Sequence, residues 1–126
     1  MKKFIRKLAL IFIACSLAYS SMACATAKAT FKETEALTDA KGFVNNLAIS
    51  KQKVIEGLEE LGYSEDEIEY AIKNCGANWK KEAVDAAKNV RQQDPTWYNE
   101  ENLTAVLKSA GFTSEEAAYG AEQACK

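Results

Sequence analysis

One sequence pattern occurs twice in this chain, 49 residues apart. Leu58–Ile72 reads LEELGYSEDEIEYAI, and Leu107–Ala121 reads LKSAGFTSEEAAYGA. The first leucine, the glycine and the tyrosine three residues after a glutamate recur at the same offsets. A fixed period of this kind marks one supersecondary unit that is used twice. We therefore expect two copies of a single structural unit.

The spacing of apolar residues in both copies is helical, with no sustained alternation that would predict strands. In the first copy the stripes comprise Ala36, Leu37, Ala40, Phe43, Val44 and Leu47; then Val54, Ile55, Leu58 and Leu61; then Ile68, Ala71 and Ile72. In the second copy they comprise Trp79, Ala83, Ala86, Ala87 and Val90; then Leu103, Val106, Leu107 and Ala110; then Ala117, Ala121 and Ala124. The last helix presents only alanines, so we expect it to pack close to its neighbours.

Residues that can cap a helix stand before most of the predicted helices. They are Ser50, Ser64, Asn78, Asn99 and Thr113. Ser64 and Thr113 are each followed three residues later by a glutamate, which is the spacing of a capping box.

Gly62 and Gly111 end the second helix of each copy, because glycine tolerates the left-handed conformation after a helix. Three helices with such a short turn between the second and third are typical of a helix-turn-helix. The sequence therefore predicts an all-α fold: two tandem three-helix helix-turn-helix-like repeats behind an N-terminal export signal.

The N-terminus has the composition of that export signal. Lys2, Lys3, Arg6 and Lys7 precede the apolar segment Leu8–Tyr19, and small residues follow it. The apolar segment is shorter than the ~20 residues that a membrane-spanning helix needs. We expect four parts in the chain: a signal and lipobox region at 1–25, a tether at 26–35, and repeats at 36–76 and 77–126.

Cleavage of this signal has two interpretations. Ser21-Met22-Ala23-Cys24 can serve as a lipobox, in which Cys24 carries a diacylglycerol whose two acyl chains hold the protein on the membrane. Alternatively, Ala23 and Ala25 form an A-x-A site, and cleavage after Ala25 releases a secreted protein. Cys15 is a weaker candidate for the lipid-bearing residue.

The charge of the exported part favours a basic protein partner over nucleic acid. The chain has 16 Lys and Arg and 18 Asp and Glu, and residues 1–24 hold four basic and no acidic side chains. Export therefore leaves 12 basic against 18 acidic residues, a net charge of −6. The third helices open with SEDEIEY and TSEEAAY, which place carboxylates where phosphate contacts need Lys or Arg. We expect no binding to nucleic acid.

The exported part contains two cysteines, Cys75 and Cys125, at nearly equivalent positions of the two repeats. An even pair in an oxidising compartment predicts a disulfide, which would tie one repeat to the other. Two free buried thiols are the alternative.

Enzyme chemistry has little support in this sequence. There is no histidine, no glycine-rich phosphate loop and no metal-ligand spacing, so we expect no catalytic residue, metal or cofactor. Glu65, Asp66, Glu115 and Glu116 are first-turn residues that suit a helix dipole. We predict that these four acids, if exposed, contact a partner.

An additional segment, Asp94–Tyr98, distinguishes the second repeat. Tyr98 corresponds to Ile49 and is predicted to be in the core. Trp97 has no counterpart, and two roles stay open for it: a lid over the alanine-rich core, or an exposed aromatic anchor for a partner.

The chain resembles the Ltp family of bacterial host-cell-surface lipoproteins over residues 36–125. The resemblance rests on Gly62, Tyr63, Ser64, Glu67 and Tyr70, and on Gly111, Phe112, Thr113, Glu116 and Tyr119. Asn78-Trp79-Lys80 stands where the family has Asp-Trp-Asn.

This resemblance implies superinfection exclusion, in which a surface lipoprotein blocks phage DNA injection without blocking adsorption. The implied partner is a phage injection component such as the tape-measure protein. The alternative is a general envelope module that binds cell wall or another surface protein.

Overall fold

The computed structural model describes residues 28–126, which form six helices and no strand. The helices are α1 (Phe31–Asn46), α2 (Lys51–Glu60), α3 (Glu65–Asn74), α4 (Trp79–Arg91), α5 (Glu100–Ser109) and α6 (Ser114–Cys125). The all-α fold class is therefore confirmed. The signal region 1–25, with Cys15 and Cys24, lies outside the described residues.

Side-chain caps fix the start of every one of these helices. The predicted caps Ser50, Ser64, Asn78, Asn99 and Thr113 each accept a hydrogen bond from the backbone N–H three residues later. These bonds satisfy donors that the first helical turn otherwise leaves unpaired, and they prevent the helices from extending into the loops.

The predicted tether at 26–35 is wrong in its second half, because α1 already begins at Phe31. Thr30 and Glu33 form a reciprocal capping box that starts this helix. The box stands before any apolar stripe: Phe31 is 77% exposed, and the first buried residue is Ala36. The helix therefore starts one turn earlier than the apolar pattern alone predicts.

The six helices form two three-helix units, each with its own buried core. In the first unit, α1–α3 enclose Ala36, Ala40, Val54, Leu58, Ile68 and Ala71. In the second unit, α4–α6 enclose Ala83, Ala87, Leu103, Leu107, Phe112, Ala117, Ala121 and Ala124. Tyr98 packs against the second core, as predicted, and its counterpart Ile49 packs against the first.

The turn before the third helix of each unit depends on a left-handed glycine. Gly62 has φ 87° and Gly111 has φ 93°, a region that residues with a Cβ rarely adopt. These glycines reverse the chain so that α3 packs on α2, and α6 on α5, around the same core.

In the second unit, α6 packs closely against α4. A Cβ on Gly120 would lie 2.7 Å from the backbone C and O atoms of Ala83. The alanine-rich face of α6 therefore packs as closely as the sequence predicts, and at this position even alanine is too large.

The two units meet where α2 begins and α5 ends. The Ser50 hydroxyl donates a hydrogen bond of 2.7 Å to the Ala110 carbonyl. Glu82 of α4 is buried, and the backbone of Ile49 is hydrogen-bonded to its carboxylate. Trp79, the first residue of α4, packs against the core of the first unit.

Candidate functional site

The acidic first turn of α3 leaves two carboxylates available to a partner. Glu67 is used internally: its carboxylate accepts from the Ser64 backbone N–H at 2.8 Å, and its own N–H donates to the Ser64 hydroxyl. Glu65 and Asp66 are exposed, and neither forms an ion pair within residues 28–126. They therefore present two uncompensated negative charges to solvent.

The corresponding turn of α6 is different, because its exposed acid is already paired. Glu115 lies 2.6 Å from the ammonium of Lys80, and that ammonium also lies 5.6 Å from the centre of the Tyr119 ring. The Lys80 hydrogen bond lowers the pKa of Glu115, and the same bond raises the pKa of Lys80. Glu116 is half-buried and closes the capping box with Thr113.

The four predicted acids therefore do not form one equivalent set. Glu65 and Asp66 lie on the first unit with free carboxylates, whereas Glu115 and Glu116 lie on the second unit and are engaged locally. Among the described residues, no hydrogen bond or ion pair joins the two turns. The acidic first turn of α3 is therefore the stronger candidate for a partner-binding site.

A groove of about 600 Å³ lies beside Glu65, between α2, α3 and the start of α4. Its apolar surface is formed by Ile55, Ile68, Ile72 and Trp79. Its charged rim comprises Lys51, Glu59, Glu65, Glu69 and Lys73.

The apolar pattern of the sequence does not predict this groove. The pattern places Ile55 and Ile72 in the core, but both are only half-buried. The sequence does contain one indication of the groove, which is a difference in side-chain size between the two copies. At the positions of Ile55, Ile68 and Ile72, the second copy has smaller side chains, namely Thr104, Ala117 and Ala121.

Residues 32–75 match the family model Lipoprotein_Ltp, which is described as a host cell surface-exposed lipoprotein. The first unit is therefore similar to this family, and we call the helices α1–α3 the Ltp unit. The match covers α1 from its second residue and all of α2 and α3, so it includes the exposed acidic turn and most of the groove. No curated protein and no solved structure gave a match.

Outside the Ltp unit, Trp97 is an exposed aromatic side chain on the loop between α4 and α5. It is 55% exposed and packs edge-to-face on Tyr98, with ring centres 4.8 Å apart. More than half of the Trp97 side chain is therefore open to solvent, and its role as a lid or as an anchor stays a prediction. The Asp94 carboxylate accepts from the backbone N–H groups of Thr96 and Trp97, and hydrogen bonds from Thr96 lower its pKa.

The expected disulfide is absent from the structure: Cys75 and Cys125 are both free, half-buried thiols. Cys75 packs at the edge of the Ltp unit's core and donates to the Ile72 carbonyl, whereas Cys125 packs against the second core. The residue 49 positions after Cys75 is Ala124. One residue along a helix rotates a side chain by about 100°. The cysteines are therefore not equivalent, and each belongs to its own unit.

The described residues contain neither a metal-binding cluster nor a helix that could span a membrane. Residues 28–126 contain no group of three or more Cys, Asp or Glu side chains placed to hold a metal ion. In the same range, every helix is too short or too polar to cross a membrane. The proposed lipid attachment residue, Cys24, lies before this range.

Proposed function

We propose that the protein is an exported, surface-anchored, non-catalytic binding module that excludes superinfecting phage. In this account a diacylglycerol on Cys24 holds it on the membrane, and the Ltp unit faces outward. It blocks DNA injection by engaging a basic component of the injection apparatus, such as the tape-measure protein. The observation that carries the proposal is the exposed, unpaired Glu65–Asp66 turn within the segment that matches a surface lipoprotein family.

The physical basis is electrostatic complementarity. The chain after residue 24 has 12 basic and 18 acidic residues, so its field attracts a basic protein and repels nucleic acid. Glu65 and Asp66 concentrate part of that charge on a turn that Ser64 and Glu67 already cap. A partner can therefore pair with these two carboxylates without unfolding the start of α3.

The second unit supports binding in a different way. Glu115 is held by Lys80, so a basic partner must compete with that ion pair. Trp97 offers a large apolar surface on the loop between α4 and α5, and aromatic side chains of this kind often dominate interface energies. We assign Glu115, Glu116 and Trp97 a secondary contact and the Ltp unit the main one.

The proposal is tested by infecting cells that produce the protein and a deletion strain with phages of the host. We expect fewer plaques on the producing cells. Reversal of charge in Glu65→Lys/Asp66→Lys should restore plaque formation, whereas Glu115→Lys/Glu116→Lys should restore it less.

Glu100→Lys/Glu101→Lys is a matched control for the change in net charge. It makes the same charge change in the first turn of α5, on exposed residues, and should leave protection intact. Equal plaque counts on the producing and deletion strains would overturn the proposal and favour the general envelope module.

A further inference from the structure

The groove of the Ltp unit has the chemistry of a peptide-docking site. Ile68 is buried in its floor, while Ile55, Ile72 and Trp79 leave part of their apolar surface open to solvent. Helix grooves of this type take the apolar face of an amphipathic helix, whose anchors recur at every third or fourth residue.

Charge along the rim is sorted by position. Glu59 and Glu65 flank the turn between α2 and α3, and Glu69 lies one helical turn further along α3. The two lysines lie at the helix ends away from that turn, with Lys51 beginning α2 and Lys73 in the last turn of α3. One end of the groove is therefore acidic, and its other end is basic.

From this arrangement we propose that the groove binds an amphipathic helix of a partner protein with basic residues clustered at one end of its apolar face. The basic end lies against Glu59, Glu65 and Glu69, and the apolar anchors occupy the surface formed by Ile55, Ile72 and Trp79. This inference rests on the proposed function, since it names the surface at which the proposed binding module contacts its partner.

The second copy of the pattern provides an internal comparison. At the positions of Glu59, Glu65 and Glu69 the second copy has Lys108, Ser114 and Ala118. The second copy therefore lacks the acidic rim as well as the large apolar side chains. The helix-binding site belongs to the Ltp unit alone.

The test uses a synthetic amphipathic peptide of about 18 residues, five helical turns, with leucines on one face and lysines at one end of that face. Binding is measured by calorimetry, and by Trp79 fluorescence in a Trp97→Phe variant so that only the groove reports. We expect saturable one-to-one binding and a change in Trp79 emission. The same peptide with glutamates in place of the lysines should bind at least about tenfold more weakly.

Exposed substitutions locate the site without disturbing the core. Glu59→Lys/Glu69→Lys should weaken the lysine peptide by about tenfold, which corresponds to ~1.4 kcal/mol. Glu100→Lys/Glu101→Lys, the same charge change on the second unit, should leave the affinity unchanged. Circular dichroism checks that both variants keep their helicity.

The peptide-binding and infection experiments can fail independently, so the groove proposal and the exclusion proposal are tested separately. Absence of binding, or equal weakening by both variants, overturns the groove site, and cells that still resist phage would then leave the exclusion function standing. Binding with the expected variant pattern supports the groove, even if the producing cells are as sensitive as the deletion strain.

Discussion

The Ser50 hydroxyl joins the two units by donating to the Ala110 carbonyl at 2.7 Å. The same oxygen accepts from the Lys53 backbone N–H at 3.3 Å as the N-cap of α2. One buried side chain therefore links the start of a helix in the Ltp unit to the end of a helix in the second unit. Together with Trp79, which packs on the core of the Ltp unit, this contact joins the two units that carry the candidate surfaces.

Replacing Ser50 with alanine should destabilise the protein more than loss of a cap alone. Loss of the cap costs about 1 kcal/mol, and the unpaired Ala110 carbonyl adds about 1–3 kcal/mol. Asn99→Ala removes the corresponding cap of α5, on an exposed residue, and should cost about 1 kcal/mol only. Urea unfolding measures both values, and equal losses would contradict the bridging role of Ser50.

The equivalent glycines Gly62 and Gly111 should differ in their tolerance of alanine. Both have positive φ, so a Cβ costs about 1–2 kcal/mol at either position. At Gly62 the Cβ would meet no atom within 4 Å, but at Gly111 it would lie 2.8 Å from the Ser50 oxygen. Gly111→Ala should therefore cost about 1–3 kcal/mol more than Gly62→Ala. Thermal melting of the two variants measures the difference, and melting at the same temperature would argue against the close contact.

Two glycines inside helices should respond to alanine with opposite signs. Gly120→Ala places a Cβ 2.7 Å from the Ala83 backbone and should destabilise by about 1–3 kcal/mol. Gly42→Ala, in the middle of α1, meets nothing within 4 Å and should stabilise by up to about 1 kcal/mol through helix propensity. Chemical denaturation of both variants checks the signs. A stabilised Gly120→Ala variant would mean that α4 and α6 are further apart than described.

Glu82 should make stability depend on pH. Burial raises its pKa above the ordinary value of 4.5, against the hydrogen bond from the Ile49 backbone, which lowers it. The folded state therefore favours the protonated carboxyl. The contribution of this carboxyl group to the free energy of unfolding is fully present below pH 4.5, and it is lost as pH rises through the folded-state pKa.

Glu82→Gln keeps an acceptor for the Ile49 backbone but cannot ionise. The variant should match the wild type at about pH 4 and exceed its unfolding free energy at about pH 7. Gly42→Ala changes no titratable group, so its difference from the wild type should be the same at both pH values. A Glu82→Gln difference that does not grow with pH would refute the buried-charge account.

Local chemistry made much of the fold predictable from sequence. Ser50, Ser64, Asn78, Asn99 and Thr113 are short polar side chains whose preference for caps is intrinsic, so the helix starts followed directly. The early start of α1 was missed because the prediction followed apolar periodicity, and the Thr30–Glu33 box precedes the buried stripe.

The candidate site was less predictable, because it depends on contacts between residues far apart in sequence. Glu65 and Glu115 occupy almost the same place in the repeated pattern, yet only Glu115 has a lysine within reach, from the start of α4. The half-exposure of Ile55 and Ile72 likewise depends on how α2, α3 and Trp79 are arranged. Neither feature is encoded in the local pattern alone.

The most direct test of the exclusion account measures adsorption and DNA entry in the same infection. Cells producing the wild type, cells producing Glu65→Lys/Asp66→Lys and the deletion strain are infected with phage carrying labelled DNA. The account predicts equal adsorption to all three, with DNA entry reduced only in the cells producing the wild type. Equal DNA entry into wild-type-producing and deletion cells, or reduced adsorption to the former, would contradict it.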